Sequence, residues 1–237
     1  MNVPEVVVFT YDFPHKKTQD ILLRLFLEDI DIQTVLGAPW KDLDIPSSEI
    51  RGKVRHKALV EPEQVAERID ASYRTIEHDG DEILDVLDEI DPNLGIIAGA
   101  RILDQPVIDR FEKGIVNFHP GLIPEARGLD ALLWSIHKDV PPGVTAHLVD
   151  ERVDAGEILE RRRIDVYEDD TLLDLNERLY ETELEIVRPS LEAAATGDVE
   201  KVVSEDTEYR SRMPGDLQRE TADSVREYVE RYANQPA

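Results

Sequence analysis

The sequence predicts an α/β protein with a doubly wound, largely parallel sheet. Two observations carry this. Short β-branched runs alternate with longer segments of helical periodicity. Several of those runs are apolar throughout, as strands covered on both faces must be. A chain of 237 residues fits one such domain with an extension.

The elements follow in order. Val6 to Thr10 (VVVFT) reads as a buried strand, and Lys17 to Asp29 carries apolar residues at helical spacing. Ile32 to Leu36 is a strand, and Pro62 to Ile69 a short helix with proline in its first turn. Tyr73 to Glu77 is a strand; Gly80 to Ile90 is an amphipathic helix whose first turn is acidic, as the helix dipole favours. Leu94 to Ala100 (LGIIAGA) resembles a central parallel strand. Gln105 to Glu112 reads as helix and Gly114 to Phe118 as the next strand. Gly128 to Lys138 is helical. Gly143 to Asp150 and Glu157 to Val166 then alternate as half-exposed antiparallel strands do. Thr171 to Gly197 is a long amphipathic helix, interrupted near Pro189 and ended by glycine. The remainder is polar with a helical finish from Thr221 to Ala233, and residues 39–60 read as an irregular surface loop.

Composition narrows the function. Asp and Glu number 52 against 27 Lys and Arg, a formal charge of −25. Such a surface repels polyanions and disfavours binding to nucleic acid through its phosphates. The acid is spread along the chain and 41% of residues are hydrophobic, so a packed domain is expected rather than an acidic disordered tail. The expectation is a salt-adapted cytoplasmic protein, its self-repulsion screened over about 3 Å at 1 M salt. Stability that rises from dilute buffer into molar salt is the expected outcome. The absence of cysteine removes disulfides, thiolate nucleophiles and cysteine metal sites. No apolar run reaches membrane-spanning length.

The chemistry points to the stretch GIVNFHPGLIPEARG, Gly114 to Gly128. Neither G-x-G-x-x-G after the first strand nor G-x-x-x-x-G-K-[ST] is present, so NAD and ATP chemistry lack their usual support. No metal site is expected. Asn117 and His119 alternate on an extended chain and so project to one side, from the carboxyl end of a central strand. Ligands bind at that edge of open α/β sheets. A lone Asn-x-His also serves as a buried polar pair capping a loop, so a third element matters. Asp154 supplies it, in a turn closed by Gly156 directly after the next strand. An amide, an imidazole and a carboxylate on one cleft suit acyl transfer without a covalent nucleophile. The amide and ring can stabilise an oxyanion while the carboxylate supports the ring and manages protons.

These segments, VNFHPGLIPEARG and GVTAHLVDERVDAGEIL, resemble the catalytic domain of folate-dependent formyltransferases, the group that acts on phosphoribosylglycinamide, methionyl-tRNA and nucleotide sugars. Asn117, His119, Pro120, Pro124, Gly128, Asp154 and Gly156 match the family's motifs, and the match runs from about Leu94 to Val166. The resemblance implies a Rossmann-like catalytic domain over residues 1–197 and a mostly helical extension over 198–237. It implies 10-formyltetrahydrofolate as formyl donor, with Asn117, His119 and Asp154 catalytic. Donor-binding positions would be Ala100, Arg101, Ile102, Leu103, Gly121, Leu122, Ile123, Pro124, Val153 and Gly156. On this reading Asp154 keeps His119 protonated.

The acceptor side is less regular. The phosphoribosylglycinamide enzymes place a glycine-rich phosphate loop after the first strand, where this chain reads TYDFPHKKTQD. Lys16 and Lys17 could meet a phosphate there or be simply solvated. The methionyl-tRNA enzymes carry a C-terminal barrel for which the residues after Gly197 do not suffice. EDTEYRSRMPGD resembles a segment that follows the catalytic domain in the tRNA and sugar branches. The expectation is therefore a small amine acceptor such as an amino-sugar nucleotide. Phosphoribosylglycinamide or methionyl-tRNA formyltransferase, a 10-formyltetrahydrofolate hydrolase and a non-catalytic folate-binding protein are the alternatives. The helices from Thr171 onward could pair in a homodimer.

Overall fold

The computed structural model describes residues 3–42, 46–100, 102–150, 154, 156–201 and 209–233. Its frame is one seven-stranded sheet of order β3-β2-β1-β4-β5-β6-β7. The strands are β1 (Val6–Tyr11), β2 (Ile32–Ala38), β3 (Tyr73–Thr75), β4 (Leu94–Ile97), β5 (Ile115–His119), β6 (Gly143–Leu148) and β7 (Ile158–Arg163). The first five run parallel; β6 pairs antiparallel with β5 and β7 antiparallel with β6. The doubly wound sheet and its antiparallel edge are thus as the alternation of periods predicts.

The sheet is covered on both faces, which is why its central strands are apolar at every position. Val6, Val7, Val8 and Phe9 of β1 are all fully buried. On one face Val7, Phe9 and Ile115 meet Ile83 and Leu87 of α3 (Asp81–Ile90) and Val107 of α4 (Gln105–Ile108). On the other, Val6, Val8 and Val116 meet Ile21, Leu22 and Leu25 of α1 (Lys16–Leu27). Also on that face are Val65 of α2 (Pro62–Arg68), Leu132 of α5 (Ala131–Lys138), and residues of α6 (Leu172–Glu185) and α7 (Val187–Thr196). Thr171 and Asp174 form a reciprocal capping box that starts α6, and Gly197, at φ 73°, ends α7.

Several boundaries differ from the sequence reading. The helix expected to Glu112 stops at Ile108, because Phe111 turns into the core against Phe9, ring centroids 5.7 Å apart. The strand expected to Ala100 stops at Ile97, before Gly99 at φ 135°. The break expected near Pro189 falls at Ile186, between α6 and α7, which leaves proline in the first turn of the new helix. The helical finish begins earlier, at Gly215, and is two helices, α8 (Gly215–Asp223) and α9 (Val225–Tyr232). Residues 39–42 and 46–60 contain neither helix nor strand, as expected.

The segment after Tyr209 is packed against the stretch that leads into α5. Leu129 donates its backbone N–H to Arg210 O at 2.8 Å, and Gly128 bridges to Arg210. A Cβ on Gly128 would stand 2.1 Å from Arg210 O, and its φ is 98°, so this close approach needs glycine. Asp130 takes hydrogen bonds from the Met213 amide (3.0 Å) and from Arg212 (3.1 Å).

Candidate active site

The site lies at the carboxyl edge of β5 and takes its geometry from the β5–β6 register. Asn117 pairs directly across from His147, and His119 across from Thr145. Nδ2 of Asn117 consequently donates to Nε2 of His147 at 3.2 Å, while Nδ1 of His147 donates to Leu148 O at 3.0 Å. Beyond His119 the chain turns back sharply. Thr145 Oγ1 donates to Gly121 O (2.8 Å) and accepts from Ile123 N (3.0 Å), and the Ile123–Pro124 peptide is cis. The turn thereby brings Ala126 O to 2.7 Å from Nε2 of His119, which donates to it.

Asp154 completes the cluster from the β6–β7 connection, in a left-handed conformation at φ 50°. Its Oδ2 stands 3.6 Å from Nδ1 of His119 and its Oδ1 3.7 Å from Nε2 of His147. Gly156 lets that connection close, since a Cβ there would sit 1.7 Å from Leu148 O. Both ring nitrogens of His119 thus face acceptors, an arrangement that favours a charged ring. Burial works the other way. His119 is 5% exposed, and this desolvation outweighs Asp154 and Ala126, so its pKa lies below the ordinary value. Burial thus opposes the resident imidazolium expected from sequence, while Asp154 and Ala126 O favour it. Burial also opposes ionisation of Asp154, but His147, His119 and Arg127 more than offset it and bring the carboxyl down to about 2.

Two cavities meet at this cluster. A slot of about 160 Å³ is lined by Ile97, Ala100, Ile102, Leu103 and Val149, with Asn117, His147 and Asp154 at its polar end. A larger cavity of about 550 Å³ opens on the other side of His119 and Asp154, under Arg51, Gly52 and Lys53. Ser48 and Ile50 to Lys53, within the stretch read as a surface loop, therefore contribute a wall of the site.

The structure brings Asn117, His119 and Asp154 together and places Ala100, Ile102 and Leu103 on the slot. Gly121, Leu122, Ile123 and Pro124 form the turn beside His119 instead of the slot's lining. Arg101 and Val153 lie outside the described residues. Lys16 and Lys17 are engaged by the protein itself, with Asp20 (2.5 Å) and with Glu183 (3.0 Å). His147, read from sequence as structural or cleft-lining, stands inside the cluster. Its signal was its place opposite Asn117, visible only once the antiparallel register is known.

A polar cluster at the strand ends of an open α/β sheet, bordered by two cavities, is the arrangement of a ligand-binding site in this class of fold. Residues 45–190 match the formyl transferase family, and the chain belongs to it. It is 29% identical over 192 residues to the methionyl-tRNA formyltransferase of Clostridium botulinum, covering 80% of this chain and 60% of that protein. It is 35% identical over 163 residues to the trifunctional purine biosynthetic protein adenosine-3 of Gallus gallus, covering 65% of this chain and 16% of that protein. The chain therefore spans less than two thirds of the length of both these relatives. The fold is shared with a sugar N-formyltransferase from a Shewanella species, at TM-score 0.61 and 19% identity, over 94% of this chain and 87% of that one. Among the described residues no helix is long and apolar enough to cross a membrane.

Proposed function

We propose that the protein transfers a formyl group from 10-formyltetrahydrofolate to the amine of a small metabolite. The observation that supports this most is the meeting of Asn117, His119 and Asp154 between two compartments, in a chain of this family. The slot suits a flat bicyclic ring: Ile97, Leu103 and Val149 line it with apolar surface, and Asn117, His147, Asp150 and Asp154 supply hydrogen-bonding groups. The wide cavity suits the acceptor.

The donor supplies a formyl group on nitrogen. The Asn117 amide is positioned to donate to the formyl oxygen as negative charge develops there. A neutral His119 can accept the proton that the acceptor amine loses when its nitrogen bonds to the formyl carbon. The imidazolium so formed faces two acceptors, Asp154 and Ala126 O, and returns a proton to the leaving nitrogen as the old C–N bond breaks. One bond forms, one breaks, and one proton moves from acceptor to donor nitrogen.

The test is tetrahydrofolate release, followed by absorbance, with a panel of amines that includes amino-sugar nucleotides, phosphoribosylglycinamide and methionyl-tRNA. Release that depends on a small amine and disappears in His119→Ala and Asp154→Asn is the expected result. Full turnover by both variants would overturn the mechanism, and release with no amine present would mark a hydrolase.

A further inference from the structure

The segment RGKVRHK, Arg51 to Lys57, is anomalous in this chain. It carries four cations, one histidine and no acid, where the whole sequence has nearly two acids per base. Most cations elsewhere are paired: Lys17 with Glu183, Arg178 with Asp170, Arg212 with Asp130, Arg110 with Asp88. Among the described residues, Arg51, Lys53, Arg55 and Lys57 make no ion pair within 4 Å. Their place is equally unusual. Arg51 and Lys53 line the wide cavity beside His119 and Asp154. Lys53 and His56 also line a second cavity of about 420 Å³, with His15, Lys16 and Lys17. Lys53, Pro120 and Asn176 border both cavities, so the two are neighbours. In each, cations outnumber carboxylates. The resulting field acts on His15, whose pKa is brought down to about 4 by burial first and then by Lys17 and Lys53.

The loop is anchored in place. Gln218 of α8, 1% exposed, accepts from Ser48 Oγ (2.9 Å) and from the Glu49 amide (2.8 Å), and donates to Met213 O (2.7 Å). Arg219 adds an ion pair to Glu49 at 2.9 Å. Arg51 therefore follows two residues after a fixed point.

We propose that Arg51 and Lys53 form an anion subsite that binds a phosphate-type group of the acceptor, with its amine directed to His119. Arg51 and Lys53 are exposed at the rim of the cavity, and unpaired cations there can bind such a group without first displacing a carboxylate of their own. Gln218 is the positioning residue for this subsite. What the anion belongs to rests on the formyl-transfer reading; the subsite itself does not.

The experiment titrates inorganic pyrophosphate into the full chain at low ionic strength, read by calorimetry. Wild type should bind saturably, and the double variant Arg51→Gln/Lys53→Gln should bind at least about tenfold more weakly, since two charge-assisted contacts are lost. Arg51→Lys should bind like wild type, as should Lys113→Gln, whose ion pair is with Glu112 near the start of β5. Gln218→Ala should fall between. No saturable binding by wild type, or equal binding by the double variant, would overturn the proposal. Pyrophosphate binding with no formyl transfer to any amine would overturn the reaction and leave the subsite standing.

Discussion

The turn from His119 to Asp130 and the loop from Pro46 to Val60 face the same cavity, and they are held in opposite ways. The turn is tied at nearly every step: to Thr145 twice, to its own Ala126 carbonyl, to Arg210 through Gly128, to Met213 and Arg212 through Asp130. The loop is tied at its ends, by Gln218 at Ser48 and Glu49 and by Gln19 at Val60. Among the described residues, none from Arg51 to Leu59 hydrogen-bonds elsewhere. Proton transfer tolerates little displacement of the groups that perform it, whereas recognition of a charged group by long side chains tolerates more. On the proposed reading the rigid wall performs the chemistry and the compliant wall recognises the acceptor's charge.

The largest effect should come from breaking the rigid wall at its reacting group. His119→Ala should lower turnover by about 10²–10⁴-fold, the usual contribution of a positioned acid–base group. Asp154→Asn should act in the same direction and also move the pH profile. Because Asp154 raises the His119 pKa, its neutralisation should shift the acid limb of kcat/KM to lower pH. Gly128→Ala would drive a Cβ into Arg210 O and should cost about 3 kcal/mol in urea unfolding. The matching change in the compliant wall, Gly52→Ala, meets the Asn176 amide at 3.3 Å and Leu172 Cδ2 at 3.8 Å, and should shift stability by less than about 0.5 kcal/mol.

Two smaller effects sharpen the contrast. The Asp154 carboxyl is depressed to about 2, so the stability it contributes is present above its unfolded value and lost as pH falls through its folded one. Acid titration from about pH 4 to 2 should therefore remove on the order of 2 kcal/mol, and Asp154→Asn should abolish that part of the slope. Gln218→Ala should cost about 1–2 kcal/mol through the unsatisfied Glu49 amide, with faster hydrogen exchange confined to the Ser48–Glu49 anchor.

What was legible in the sequence divides along similar lines. Asn117 and His119 could be placed because strand alternation is local and the prolines that follow prevent regular structure. Asp154 could be placed because glycine follows it in a short turn. The strands of β1, β2 and β5 were readable from their apolar runs, and the two antiparallel ones from alternation. His147 was weighed only as a single strand residue, since its partnership with Asn117 depends on a register fixed by the whole β5–β6 pair. The stop at Ile108 depended on a core place for Phe111 that no window around it reveals. The role of residues 46–53 as a cavity wall depended on Gln218, far along the chain.

That distance has a consequence for how the protein comes into being. The Glu49 amide waits for a partner 169 residues later in the chain. At synthesis rates of 5–20 residues per second, roughly ten to thirty seconds separate the two. The ties of the opposite wall come equally late, since the His119–Asp130 turn is held by Arg210, Arg212 and Met213. A polypeptide leaving the ribosome would thus receive the fastenings of both walls together, from the one short segment Arg210–Gln218.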